Sequence, residues 1–235
     1  MNNIKAIIPF DLNIPLANGV WTITPTLISS EEGNLLVDTG MPGMTQEMVS
    51  QMQAAGFSID QLTGIVLTHQ DIDHIGNVSQ MLELKPGIAV YAHAADKPYI
   101  EGKLPLIKEP HKMLEAFGTY EAASSDIVTD IVSDGEQLDF AEGIVVIHTP
   151  GHTPGHISLY DRATKTLIAG DAMVVRGDQL LGPNPMQTTD LDEAYQSLAK
   201  LAAYDIEKII CFHGGVYDLN VNERIAAIAA AGPSV

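Results

Sequence analysis

Only one cysteine, Cys211, occurs among 235 residues. That excludes an intrachain disulfide and a metal centre built on a cluster of thiolates. Basic residues are scarce as well: 12 Lys and Arg stand against 30 Asp and Glu, a formal charge of −18. A surface this acidic repels a phosphate backbone, whose binding rests on cations displacing counterions, and it repels anionic lipid. No apolar run approaches the length of a membrane span. The stretch from Met1 to Phe10, with one lysine and an apolar patch broken by Pro9, is too short for the core of a secretory signal. Repeats of fixed period, low-complexity tracts and linkers between independent units are all lacking. These absences argue against nucleic-acid and membrane partners. They point to a small-molecule substrate, a cytoplasmic setting and a single unit spanning residues 1–235, with a homodimer left open.

The hydrophobic fraction of 46% and charged fraction of 18% are those of a soluble globular protein. Residues 20–28 alternate and are rich in Thr and Ile, which predicts a strand. A turn at 31–34 leads to a returning strand at 35–37, and residues 44–55 carry helical spacing that Gly56 stops. Further strands are expected at 64–67 and 88–92, with a helix at 75–84 between them. Regularity fails over about 96–125, which holds Pro98, Pro105 and Pro110 and then a helical stretch at 111–123. It reads as a lid-like insertion. Strands follow at 127–132, 143–149, 156–160 and 166–169, then a Gly- and Pro-rich loop at 171–190. A helix at 192–203, a strand at 208–212 and a last helix from Asn220 complete the chain. Hairpin-clustered strands with helices at intervals imply two sheets covered on the outside by helices.

His69, Asp71, Asp73 and His74 crowd into six positions directly behind the strand at 64–67. In extended backbone, side chains at i, i+2 and i+4 share a face, so His69, Asp71 and Asp73 can converge, with His74 following as the chain turns into a helix. Any one of them alone reads more readily as a helix cap or a satisfied core histidine. Four together offer the imidazole and carboxylate donors that zinc, iron or manganese accept. The second half adds the rigid loop Thr149-Pro150-Gly151-His152-Thr153-Pro154-Gly155-His156, then Gly170-Asp171 at the end of an apolar strand, then His213 beyond the strand that carries Cys211.

These segments, with Asp38-Thr39-Gly40 after the early hairpin and Phe212-His213-Gly214-Gly215 near the end, resemble the metallo-β-lactamase superfamily in order and spacing over nearly the whole chain. The resemblance implies an α+β fold, a four-layer αββα sandwich with a dinuclear site along one edge between the sheets. It implies a first metal ion on His69, Asp71 and His152, a second on Asp73, His74 and His213, and Asp171 bridging the two. Most hydrolases of the family have histidine where this chain has Asp71. Zinc is the first expectation for the two divalent ions. The added carboxylate shifts preference toward iron or manganese.

The expected chemistry is attack of a metal-bound hydroxide on an ester, thioester or lactone-type carbonyl, of the lactonase, thioesterase or glyoxalase II kind. Asp73 orients the nucleophile as well as binding metal. Met173 and Arg176, just after Asp171, are expected to line the substrate pocket. Lys97, Lys103, Lys108 and Lys112 cluster in the irregular segment, where they would draw an anionic substrate to the mouth or simply solvate the lid. His156 reads as a support rather than a ligand, His148 as a strand residue, His93 and His111 as surface or lid residues, and Cys211 as a small core residue. Two other classes compete: a di-iron redox protein handling oxygen or nitric oxide, and a non-catalytic binding module with an altered site.

Overall fold

The computed structural model describes residues 4–16, 19–108, 126–138 and 143–233. The N-terminal half runs β1 (Ile4–Pro9), β2 (Leu12–Leu16), β3 (Gly19–Ile23), β4 (Thr26–Ser30), β5 (Asn34–Val37), α1 (Thr45–Ala54), β6 (Leu62–Val66), α2 (Ile72–Ile75), α3 (Val78–Leu84), β7 (Ala89–His93), α4 (Lys97–Ile100) and β8 (Asp130–Val132). The C-terminal half runs β9 (Ile144–His148), β10 (Ile157–Asp161), β11 (Thr166–Gly170), β12 (Val174–Arg176), β13 (Gln179–Leu181), α5 (Leu191–Leu201), β14 (Lys208–Cys211), β15 (Gly215–Tyr217) and α6 (Val221–Ala231). One sheet has the order β1-β4-β5-β6-β7-β8, the other β15-β14-β11-β10-β9, and two hairpins, β2-β3 and β12-β13, stand apart from them.

Strand alternation sorts the apolar side chains into three cores, and that sorting makes the sandwich. Ile28, Leu35, Val37 and Val66 of the first sheet face Val146, Leu159, Ile168 and Ile210 of the second, so the sheets bury one face against each other. Their neighbours Leu27, Leu36 and Ile65 point the other way, onto Met48 and Met52 of α1 and Ile75 and Met81 around α2 and α3. In the second sheet Leu167, Ala169, Ile209 and Cys211 turn outward onto Leu198 and Leu201 of α5 and Ile225 and Ile228 of α6. The four layers are therefore α, β, β, α, as the resemblance implies.

Several local expectations shift. The strand expected at 20–28 is two strands, because Pro25 has no N–H for a ladder; β3 pairs with β2 while β4 enters the first sheet. The N-terminal apolar patch supplies β1, which pairs antiparallel with β4. The helix expected at 75–84 is broken at Gly76-Asn77, where Asn77 Nδ2 donates 2.6 Å bonds to the carbonyls of Thr39 and Met41. Gly76 lies so close to Pro42 that a Cβ would sit 2.4 Å from its nitrogen. The strand expected at 127–132 is confined to Asp130–Val132, and the loop at 171–190 contains the β12-β13 hairpin. The helical stretch expected at 111–123 lies outside the described residues. No helix among the described residues is long and apolar enough to cross a membrane.

Candidate metal centre

The chain delivers its donors from strand ends along one edge of the sandwich. Asp71 has extended backbone (φ −66, ψ 144), and the next four residues form the single turn α2. The run at 69–74 is thus not one extended ladder: Asp73 and His74 project from a helical turn, beside His69 and Asp71 from the loop before it. His152 comes from the loop between β9 and β10, Asp171 follows β11, and His213 follows β14.

All seven expected donors meet. Asp71 Oδ2 lies 3.4 Å from His69 Nε2 and 3.1 Å from His152 Nε2. His213 Nε2 lies 3.3 Å from Asp73 Oδ2, and His74 Nε2 is 3.9 Å from that same oxygen. Asp171 spans the two sets, with Oδ1 3.4 Å from His74 Nε2 and Oδ2 3.1 Å from His213 Nε2 and 3.4 Å from His152 Nε2. His69, Asp71 and His152 form one group with metal-ligand spacing, and Asp73, His74 and His213 another. His69 Nε2, His74 Nε2 and Asp171 Oδ1 are buried and hydrogen-bond to nothing among the described residues. Buried polar atoms left without a partner are costly, and three of them aimed at one point suit a cation.

The imidazole tautomers are set from behind. Asp38 accepts from the Thr68 N–H, the Thr68 hydroxyl and His74 Nδ1, each at 2.8 Å. Because the Thr68 hydroxyl donates to Asp38, it accepts from His69 Nδ1 at 3.0 Å. Both rings are therefore engaged through Nδ1, which leaves Nε2 as the atom each turns to the site. His156 accepts the Asp171 backbone N–H on Nε2 at 2.9 Å and bonds the Thr149 hydroxyl through Nδ1 at 2.8 Å. It is a support for Asp171, as its position in the sequence suggested. Asp96 ties the two ligand loops together, accepting from Gln70 N (3.0 Å), Gln70 Nε2 (3.1 Å), Thr153 Oγ1 (2.7 Å) and Gly155 N (2.8 Å).

Electrostatics separate the histidines. Burial holds His69 well below the ordinary histidine value, with the neighbouring His74 adding to the effect. Burial also lowers His156. For His74 the charges of Asp38, Asp171 and Asp73 outweigh burial and hold it well above the ordinary value. Burial would depress His213 too, but Asp171 and then Asp73 raise it to about 10. Burial, with Asp171 nearby, pushes the Cys211 thiol up, and the residue packs in the core between the second sheet and its helices.

Asp71, Asp73, Asp171 and His213 floor a cavity of about 540 Å³ walled by Leu16, Val20, Trp21, Val174 and Val175. Trp21 stacks on His213, ring centroids 5.3 Å apart and 18° from parallel. Of the two expected substrate contacts, Arg176 lines the cavity. Met173 does not: it is fully buried among the apolar residues between the second sheet and its helices, because the chain leaves the cavity after Asp171 and returns to it at Val174. Lys97 and Lys103 pair with Glu101 and stay clear of the cavity, Lys112 and His111 lie outside the described residues, and only Lys108 reaches the donors. His93 and His148 stack on each other at 4.0 Å without joining the site. Sequence reasoning passed over Asp96, Trp21 and the work of Asp38. Only Asp38 carried a signal, its place in the Asp38-Thr39-Gly40 break.

A model of the metallo-beta-lactamase superfamily matches residues 18–213. The probable metallo-hydrolase YflN of Bacillus subtilis (strain 168) is 32% identical over 225 residues, covering 86% of this chain and 82% of that protein. A hydroxyacylglutathione hydrolase of Klebsiella pneumoniae is 30% identical over 198 residues, covering 83% of this chain and 60% of that protein. Among solved structures, TTHA1623 in a di-iron-bound form aligns with a TM-score of 0.67 at 24% identity, covering 92% of this chain and 98% of that one.

Proposed function

The chain belongs to the metallo-beta-lactamase superfamily, and from that premise we propose that it is a metal-dependent hydrolase of a small-molecule ester, thioester or lactone. The observation that supports this most is the convergence of seven donors, four of them with a buried unpartnered atom, beside a cavity of small-molecule size that Asp71, Asp73, Asp171 and His213 line. Asp73, His74, His213 and Asp171 would hold one divalent cation, and His69, Asp71 and His152 offer a second place. When bound, such an ion supplies Lewis acidity toward a carbonyl oxygen and lowers the pKa of water toward neutrality.

The chain's own residues do the rest. Asp38 and Thr68 keep Nε2 of His69 and His74 open, and His156 fixes Asp171 through its backbone. Asp73 would both bind metal and orient the attacking water. Leu16, Val20, Trp21, Val174 and Val175 exclude water from the acyl side, and Arg176 offers a charge-assisted contact to an anionic substituent. The thioester option gains from the Klebsiella relative's name, hydroxyacylglutathione hydrolase. The di-iron form of TTHA1623 keeps iron beside zinc as the metal.

The test is a panel of esters, thioesters and lactones offered to protein loaded separately with zinc, manganese and iron. Turnover of at least one substrate class, abolished in Asp73→Ala, is expected. Fully loaded protein that turns over none of them, while its iron form consumes oxygen, would replace hydrolysis with redox chemistry.

A further inference from the structure

Lys108 holds a place in the donor set that no family expectation gives it. Its ammonium donates to Asp71 Oδ2 at 2.5 Å, to His152 Nε2 at 2.7 Å and to the Gln187 carbonyl at 2.8 Å. An ammonium has three N–H donors and no acceptor, so these three contacts use it fully. Two of the three acceptors are the donor atoms that, with His69 Nε2, make up the first of the two metal sets.

The contacts are mutually exclusive with a metal at that set. An imidazole nitrogen has one lone pair, and His152 Nε2 cannot give it to a Lys108 hydrogen and to a cation at once. The ring's other nitrogen lies 3.5 Å from the Thr188 hydroxyl, which donates to the Asn184 carbonyl and so presents a lone pair to a proton on His152 Nδ1. That is the tautomer in which Nε2 accepts from lysine. The lysine is not a stray surface chain: its side chain is 16% exposed. The preceding residue is pinned by a 2.9 Å bond from Ile107 N to Gln70 Oε1, and Gln70 is held in turn by the buried Asp96.

Two oddities then explain each other. A set of three neutral imidazoles would give an ammonium no opposite charge, whereas Asp71 supplies one in a partly buried place where charge pairing matters. His69 Nε2, His74 Nε2 and Asp171 Oδ1 stay unpartnered among the described residues, and these three residues themselves form a group with metal-ligand spacing that Lys108 does not touch.

Resting on the metal-hydrolase reading, we propose that Lys108 is the resident cation of the first position. The protein then holds one metal ion per chain, at Asp73, His74, His213 and Asp171, and a second ion enters only when the Lys108–Asp71 pair is removed.

The test is metal content after loading with excess zinc or manganese and desalting. Wild type is expected to retain about one ion per chain, and both Lys108→Met and Asp71→His about two, with Lys103→Met, a change at an exposed lysine outside the cavity, remaining at about one. Manganese EPR gives a second readout: an isolated-ion spectrum for wild type and an exchange-coupled pair in the two variants. If one variant fails to fold, the other carries the test. Wild type with two coupled ions, or variants that stay at one, overturns the assignment of Lys108 while leaving the hydrolase reading intact. Protein that retains no ion in any form overturns both.

Discussion

Replacing Asp38 with Asn isolates how much of the site depends on a residue that touches no substrate. Asp38 is 1% exposed and sits in the left-handed region at φ 61, which Asn tolerates almost as well as Asp, so backbone and volume are kept. The change is purely one of hydrogen bonding. The amide oxygen can still accept from the Thr68 N–H. The amide NH2 now faces the Thr68 hydroxyl and His74 Nδ1, both 2.8 Å from Asp38 Oδ2 in the wild type. The hydroxyl can reverse and accept. His74 must move its proton to Nε2 to accept as well, and that proton occupies the lone pair a metal needs.

Loss of such a supporting partner lowers metal affinity by about 10- to 100-fold, or about 1.4–2.8 kcal/mol. Loss of the charge-assisted bonds destabilises the metal-free fold by about 1.5–3 kcal/mol. Competition against a chelator at fixed pH reads the first quantity, and urea unfolding of metal-free protein reads the second. Asp38→Asn with wild-type metal affinity would refute the tautomer argument, whatever happens to stability.

Metal binding is expected to strengthen as pH rises toward about 10, because the raised His213 carries a proton that the ion must displace; titration calorimetry in buffers of different ionisation enthalpy should show proton release. In metal-free protein the same raised value works in the opposite sense: His213 contributes stability below the ordinary histidine pKa, and that contribution fades as pH climbs through about 10, so unfolding midpoints should decline on the alkaline side. Asp96→Ala strands two backbone N–H groups, of Gln70 and Gly155, and is expected to cost about 2–5 kcal/mol in chemical denaturation, with site geometry loosened on both loops. Trp21→Ala removes the stacked wall over His213 and should raise KM for substrates with an apolar acyl group more than it lowers kcat, as steady-state kinetics on a short and a long ester will show.

The layers were readable because burial writes itself into strand alternation and helix periodicity. Leu35 and Val37 against Leu36, or Ile168 against Leu167 and Ala169, divide between two cores on the period-two rule alone. What the sequence could not show is where a run of strand-forming residues changes partner. Residues 20–28 look continuous, yet the strand splits at Pro25, and the freed β3 joins the hairpin whose Trp21 and Val20 wall the cavity. The same blindness hid β12, whose carbonyl at Val175 passes so close to Gly214 (φ +99) that a Cβ there would sit 2.0 Å from it. His213 is carried on a loop that only glycine lets close, and Met173, one residue ahead of β12, is lost to the core for the same topological reason.

Within the site, legibility followed chain distance. Donors at 69–74 announce themselves because two imidazoles and two carboxylates stand together in six positions. Their supports do not: Asp38 lies 36 residues from His74, Asp96 lies 59 from Gly155, and Lys108 lies 37 from Asp71. Taken singly, Asp38 is part of a chain break, Lys108 is one of four clustered lysines and Asp96 is an unremarked carboxylate, and each gains its meaning from the atom it faces. That changes how Asp71 is to be understood. As a substitution within a motif it is one more oxygen donor, and the inference stops at a preference among metals. With Lys108 and the Gln187 carbonyl in view, its oxygen is already spoken for, and the first donor set is a closed ion pair beside an open metal position. A carboxylate in place of a ligand histidine then signals a change in the number of metal ions the site admits, rather than a change in which metal it prefers.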